Sequence, residues 1–209
     1  MEIRLSPEEA RVVGALVEKE LSTPEYYPMT LNALVTACNQ KTNRDPVVSF
    51  MEREVAEAVE ALQRKRLVGS ATSSYGRAVK YRHALAEVLS LTRPQLAVLA
   101  SLLLRGPETT GELRGRTGRM HTFESLEDVD AVLDVLMEHE PPYIARLPRR
   151  PGQKESRYAQ MLTGEPDLSE DDAEPGGSRL VQLEQQVAHL HERIEELART
   201  FAEFRRQFE

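Results

Sequence analysis

The chain of 209 residues has one cysteine, Cys38, and no tryptophan. A single thiol cannot close an internal disulfide, which makes a reducing compartment the expected one. The five histidines, at 83, 121, 139, 189 and 191, are scattered, and no set of histidines and cysteines stands at metal-ligand spacing. His189 and His191, two positions apart on a helix, point to different sides. There is no glycine-rich phosphate loop of known spacing and no nucleophile with a recognisable partner, so neither an enzyme nor a cofactor is expected. No apolar run approaches ~18 residues and neither end carries a charged start followed by an apolar stretch. The expected protein is cytoplasmic and makes no membrane contact.

A net charge of −7 would argue against nucleic acid if it were spread evenly. It is not. Residues 1–90 hold 12 basic and 12 acidic side chains, and residues 91–164 hold 10 of each. Residues 165–177 hold no basic and 6 acidic residues, with two prolines and two glycines, and read as a flexible acidic linker. The remaining residues, 178–209, are close to balanced.

What the chain does have is an internal repeat. Val12, Val13, Leu16 and Val17 follow Leu5-Ser6-Pro7, and Val98, Leu99, Leu102 and Leu103 follow Leu91-Thr92 at an offset of 86. In the first copy Ser6 with Glu9 forms a capping box for a helix to about Glu20. Thr30 caps a second helix with Leu31, Leu34, Val35 and Cys38 on one face, which makes Cys38 a core residue. Ser49 with Glu52 caps a third, carrying Val55, Val59 and Leu62 to about Arg66. Residues 67–73 and 77–83 alternate as a β-hairpin. In the second copy the caps are Thr92 with Gln95, Thr109 or Thr110, and Ser125 with Asp128. Its hairpin strands fall at 143–147 and 157–162. Helix, helix, helix, hairpin is the order of the winged-helix domain.

The same residues resemble the YceH-like bacterial family, whose members have two winged-helix domains and a C-terminal coil. The matching stretches are 23–46 (TPEYYPMTLNALVTACNQKTNRDP), 104–116 (LRGPETTGELRGR), 147–152 (LPRRPG) and 157–159 (RYA). The resemblance implies a mainly α fold with small β-hairpins: winged-helix domains at 1–88 and 89–164, a linker at 165–177 and a coiled-coil helix at 178–209. It implies no activity.

In a conventional winged helix the third helix enters the major groove and the hairpin touches the backbone. Both third helices are acidic here. The first carries Glu52, Glu54, Glu57 and Glu60 before a basic end at Arg64, Lys65 and Arg66, the second Glu127, Asp128, Asp130, Asp134 and Glu138. Duplex DNA has one negative charge per ~1.7 Å of axis, so insertion of either helix is doubtful. The better phosphate candidates are Arg114, Arg116 and Arg119 around the second helix of copy two, and Arg146, Arg149, Arg150, Lys154 and Arg157 on its hairpin. In copy one, Asn39, Gln40, Lys41 and Arg44 link the second and third helices, where they serve a nucleic acid, the turn itself or a contact between the domains.

Beyond the linker, Leu180, Leu183, Val187, Leu190, Ile194, Leu197, Phe201, Phe204 and Phe208 recur at steps of three and four. This heptad seam predicts a homodimer through the C-terminal helix. The expected protein is a tandem winged-helix dimer that binds double-stranded DNA through basic surfaces of its second domain. The competing expectation is an adaptor for an unidentified protein partner.

Overall fold

The computed structural model describes residues 3–72, 78–149, 153 and 155–165. Arg150, Lys154, nearly all of the acidic linker and the whole heptad seam lie outside the described residues. The fold is mixed: about half of the described residues are helical, with two small antiparallel sheets.

In the first repeat, α1 spans Pro7–Ser22. Ser6 caps it, accepting from the Glu9 amide at 3.2 Å while the Glu9 carboxylate accepts from the Ser6 amide at 2.6 Å, which satisfies two amide groups that the helix start leaves bare. After a 3-10 turn at Pro24–Tyr26 comes β1, Met29–Thr30, and Thr30 caps α2, Leu31–Cys38. Helix α3 runs Glu52–Arg64, then β2, Val68–Thr72, and β3, Val79–His83, form the hairpin. The sheet order is β1-β3-β2, with Met29 opposite Tyr81. A short helix α4, Leu85–Leu89, leads to the second repeat.

That repeat has α5, Arg93–Arg105, α6, Thr110–Thr117, α7, Leu126–Glu138, and a two-stranded hairpin of β4, Ile144–Arg146, and β5, Tyr158–Gln160. Thr92, Thr109 and Ser125 are the three caps. Glu108 also bridges Tyr158, the place that Met29 takes against Tyr81. The duplication therefore extends to a strand residue just before each second helix.

Three features were not expected from the sequence: β1, α4 and the start of α3. Serine 49 was expected to cap α3, yet the helix begins after Met51, whose amide donates to the Glu54 carboxylate at 2.7 Å. Asn39 explains the delay. Its side chain accepts from the Phe50 amide and donates to the Phe50 carbonyl, both at 2.8 Å, and this two-way clamp keeps residue 50 out of the helix.

The described residues all fall within one compact unit. Within it α1 is buried on nearly every side, from Glu9 through Val17, as befits the central helix of a core. Helix α5 is equally enclosed, with Leu96 through Leu104 all buried. The two pack directly together. At Gly14 an added methyl carbon would lie 3.1 Å from the Leu104 side chain and 3.2 Å from Leu103 Cβ, so glycine is what lets the helices approach. Arg93 reinforces this seam, donating to the Leu21 carbonyl at 2.9 Å and the Met120 carbonyl at 3.1 Å. The boundary expected between residues 88 and 89 falls in the last turn of α4, while the apolar core runs across it.

Candidate nucleic-acid interface

The arginines of α6 do not share one face. Arg114 and Arg116 are two positions apart, roughly 200° around the helix at 3.6 residues per turn. Arg114 turns toward the start of α7 and donates to the carbonyls of Glu124 at 2.5 Å and Phe123 at 3.4 Å. Arg116 turns back toward the other end of its helix, to Glu108 Oε1 at 2.6 Å and Glu112 Oε1 at 3.1 Å. Arg119, just past α6, is exposed. A single basic patch over these three is therefore not what the fold builds.

On the hairpin, Arg146 closes β4 opposite Tyr158 and is exposed, as is Arg149. Arg157 is half-buried and its Nε has no hydrogen-bond partner among the described residues. Arg150 and Lys154 lie outside the described residues.

Two of the four candidates in the first repeat are corrected by the structure. Arg44 was a possible phosphate contact, yet its side chain is fully buried. Its guanidinium donates to the Glu18 carboxylate at 2.6 and 3.2 Å, to the Ala37 carbonyl at 3.0 and 3.2 Å, and to the Asn43 carbonyl at 2.7 Å. Every donor direction is taken up inside the protein, which suits a planar fork held by a carboxylate. Asn39 is spent on Phe50. Both residues shape the connection between α2 and α3, and neither is free to read a base. Arg11, also buried, donates to the carbonyls of Cys38 at 3.2 Å and Pro46 at 2.7 Å from the other side. Burial, with Arg44 close by, lowers its affinity for the proton. Burial also pushes the Cys38 thiol up to about 12, which makes it an inert core side chain.

The other two candidates, Gln40 and Lys41, come together with residues of the second repeat. They line a cleft of about 390 Å³ between the repeats. One wall is the end of α1, with Lys19, Ser22 and Thr23, and the loop from Gln40 to Asn43. The other is α5 and α6, with Ser101, Arg105, Arg116 and Arg119. Arg105 donates to Asn43 Oδ1 at 2.5 Å across the cleft, and the Asp45 amide donates to the Leu104 carbonyl at 2.9 Å beside it. Sequence reading missed Arg105, Glu18 and Glu108. Glu108 carried a signal: it stands where the first repeat has an apolar Met29, and it is completely buried, accepting from Ser101 Oγ at 2.5 Å as well as from Arg116.

Comparison with known proteins places this arrangement in a family. A family model described as a protein of unknown function, DUF480, matches residues 5–153. The chain belongs to the DUF480 family. Over 220 residues it is 52% identical to a UPF0502 protein of Geobacter sulfurreducens and 50% identical to one of Geotalea uraniireducens, in both cases across the full length of both chains. A UPF0502 protein of Aeromonas hydrophila is 44% identical over 215 residues, covering 97% of this chain and 99% of its own. The DUF480 match takes in every residue of the cleft and reaches Arg149, but stops before the acidic linker and the heptad seam.

In this DUF480 chain the third helices keep the acidic character read from the sequence. On α7 the exposed side chains are Leu126, Glu127, Asp128, Asp130, Ala131, Asp134, Val135 and Glu138, with no cation among them. On α3, Glu52, Glu57 and Glu60 are exposed, Arg53 is paired with Glu57 at 3.2 Å, and Arg64 is exposed at the basic end. Among the described residues no cluster of three potential metal ligands and no membrane-spanning helix occurs.

Proposed function

We propose that this chain is a cytoplasmic, non-enzymatic tandem winged-helix protein that binds duplex DNA through the hairpin of its second repeat. The observation that carries the reading is the division of charge in that repeat: acids cover the outer face of α7, while Arg146 and Arg149 stand exposed at β4 and beyond it. Such a surface repels a phosphate backbone at the third helix and attracts it at the hairpin. Contact of this kind positions the protein without reading sequence. The heptad seam at 178–209 pairs two chains and so doubles the number of hairpins offered to one duplex.

The test is fluorescence anisotropy with a labelled duplex across a salt series. Native protein is expected to show a steep negative slope of log K against log salt. Arg146→Ala with Arg149→Ala is expected to make it shallower by about 2, one unit for each lost phosphate contact. Absence of binding at low salt overturns the reading.

A second reading, an adaptor for a basic protein partner, is favoured by α7 itself. Leu126 and Val135, 42% and 44% exposed, sit among its acids, a mixed face that suits an amphipathic basic segment better than a nucleic acid. Failure to bind DNA, together with capture of a basic amphipathic peptide that Asp130→Lys and Asp134→Lys abolish, supports this alternative.

A further inference from the structure

The cleft between the repeats is chemically unlike the hairpin surface. Four of its cations, Lys19, Lys41, Arg105 and Arg119, stand on two facing walls, two from each repeat. The carboxylates nearby are already engaged. Glu18 is held by the buried Arg44 and, at 3.8 Å, by Lys19, and Glu108 and Glu112 are held by Arg116. Asp45, close enough to act on Arg116, is the remaining acid in the neighbourhood. With six cations, Arg44 and Arg116 included, against these four acids, the surroundings of the cleft stay positive.

Two further observations show that the cations are built in rather than scattered. Arg105 is half-buried, and the protein partner it finds among the described residues is the neutral amide oxygen of Asn43. Burial accordingly pushes its proton affinity down, the condition that an added anion relieves. Arg116 is anchored by Glu108, which Ser101 holds in turn. A carboxylate there is costly to bury, and the equivalent place in the first repeat holds Met29, so the fold does not require it. Its effect is to fix one arginine fork at the edge of the cleft, the kind of supporting contact that pre-organises a binding site.

The rest of the lining gives the chemistry of the occupant. Hydroxyls and amides come from Ser22, Thr23, Thr42, Gln40 and Asn43, the apolar contribution is Leu104 and Met120, and there is no aromatic side chain on which a base could stack. The volume is that of a small-molecule site and far below what a duplex needs. Cations on opposing walls suit two phosphoryl groups better than a single anion. We propose that the cleft binds a compact diphosphate-bearing small molecule, held by Lys19, Lys41, Arg105 and Arg119 across the two repeats. The site is independent of DNA binding by the hairpin.

Inorganic pyrophosphate is the probe, titrated into the full-length protein by calorimetry at low salt, with thermal melting in parallel. The native chain is expected to bind it with a Kd of about 10–100 µM and to melt at higher temperature in its presence. In Lys41→Ala with Arg119→Ala, two exposed side chains whose loss should leave the ligand-free melting temperature in place, affinity should fall by about tenfold or more. Arg119→Lys should recover part of it. Orthophosphate should bind more weakly than pyrophosphate. Arg146→Ala with Arg149→Ala should bind pyrophosphate as the native chain does, even if DNA binding is lost or never observed. Absence of heat and of any melting shift overturns the proposal, as does equal affinity in the native and Lys41/Arg119 proteins. It is also overturned if the Lys41/Arg119 variant loses duplex DNA binding while pyrophosphate never binds, because the cleft is then a seat for the nucleic-acid backbone.

Discussion

The two repeats share a plan and solve one packing problem with opposite charges. Each needs to fix the connection around its second helix against its first. The first repeat does so with a buried cation, Arg44, which takes the Glu18 carboxylate of α1 and two carbonyls of the α2–α3 connection. The second does so with a buried anion, Glu108, which takes Ser101 of α5 and Arg116 of α6. Equivalent backbone does not demand equivalent chemistry. What a duplicated scaffold preserves is where side chains are buried, while the sign of a buried charge is free to change if its partner changes with it.

Breaking each device in turn sharpens that comparison. Arg44→Ala should have the largest effect, about 3–5 kcal/mol of stability by urea unfolding, because it leaves Glu18 only the 3.8 Å contact to Lys19 and strands three carbonyl contacts in a place that water reaches poorly. A loss below about 1 kcal/mol would show that the α2–α3 connection holds without it. Gly14→Val attacks what the repeats share and should cost about 1–3 kcal/mol, since the contacts at 3.1–3.2 Å include the branch point of Leu104 and the Cβ of Leu103 as well as Leu104 Cδ2. Arg116→Ala should cost less than Arg44→Ala, about 1–3 kcal/mol, because its side chain is 38% exposed and water can replace part of its contact with Glu108. If it instead exceeds Arg44→Ala, the ranking of the two buried charges is wrong.

The smallest expected effect is a pH dependence found in the first repeat. His83 is buried, accepts from the Leu85 amide through Nδ1 at 3.2 Å and faces the Glu20 carboxylate through Nε2. Burial depresses its proton affinity, with Glu20 opposing that shift. The folded state therefore binds the proton less readily than the unfolded chain. The stabilising contribution is complete above the unfolded value of about 6.5 and is lost as pH falls below it. Melting temperature should decline as pH falls below about 6.5, and His83→Gln should flatten the decline there.

Much of the fold was legible because it rests on local rules. The caps at Ser6, Thr30, Thr92, Thr109 and Ser125 all fall where serine or threonine was expected to close a helix start, and the buried faces of α1 and α5 follow from the spacing of their valines and leucines. The core placement of Cys38 was read the same way. The failures are long-range. Nothing near Ser49 announces that Asn39, ten residues earlier, will hold Phe50 out of α3. Nothing near Arg44 announces that Glu18 will neutralise it, so the sequence leaves a cation in a polar connection open between a ligand contact and the turn itself. The cleft was invisible for the same reason: its two walls are brought together by the α1–α5 packing, which depends on a glycine that has no distinguishing mark within its helix.

Gly14 has a consequence for how the protein comes into being. Because this close approach in the core joins residues about ninety positions apart, neither half has a complete interior until the other has been made. During synthesis the emerging first repeat carries an uncovered helix face, and it stays uncovered until Leu103 and Leu104 leave the ribosome. The duplicated gene thus specifies a single folding event rather than two.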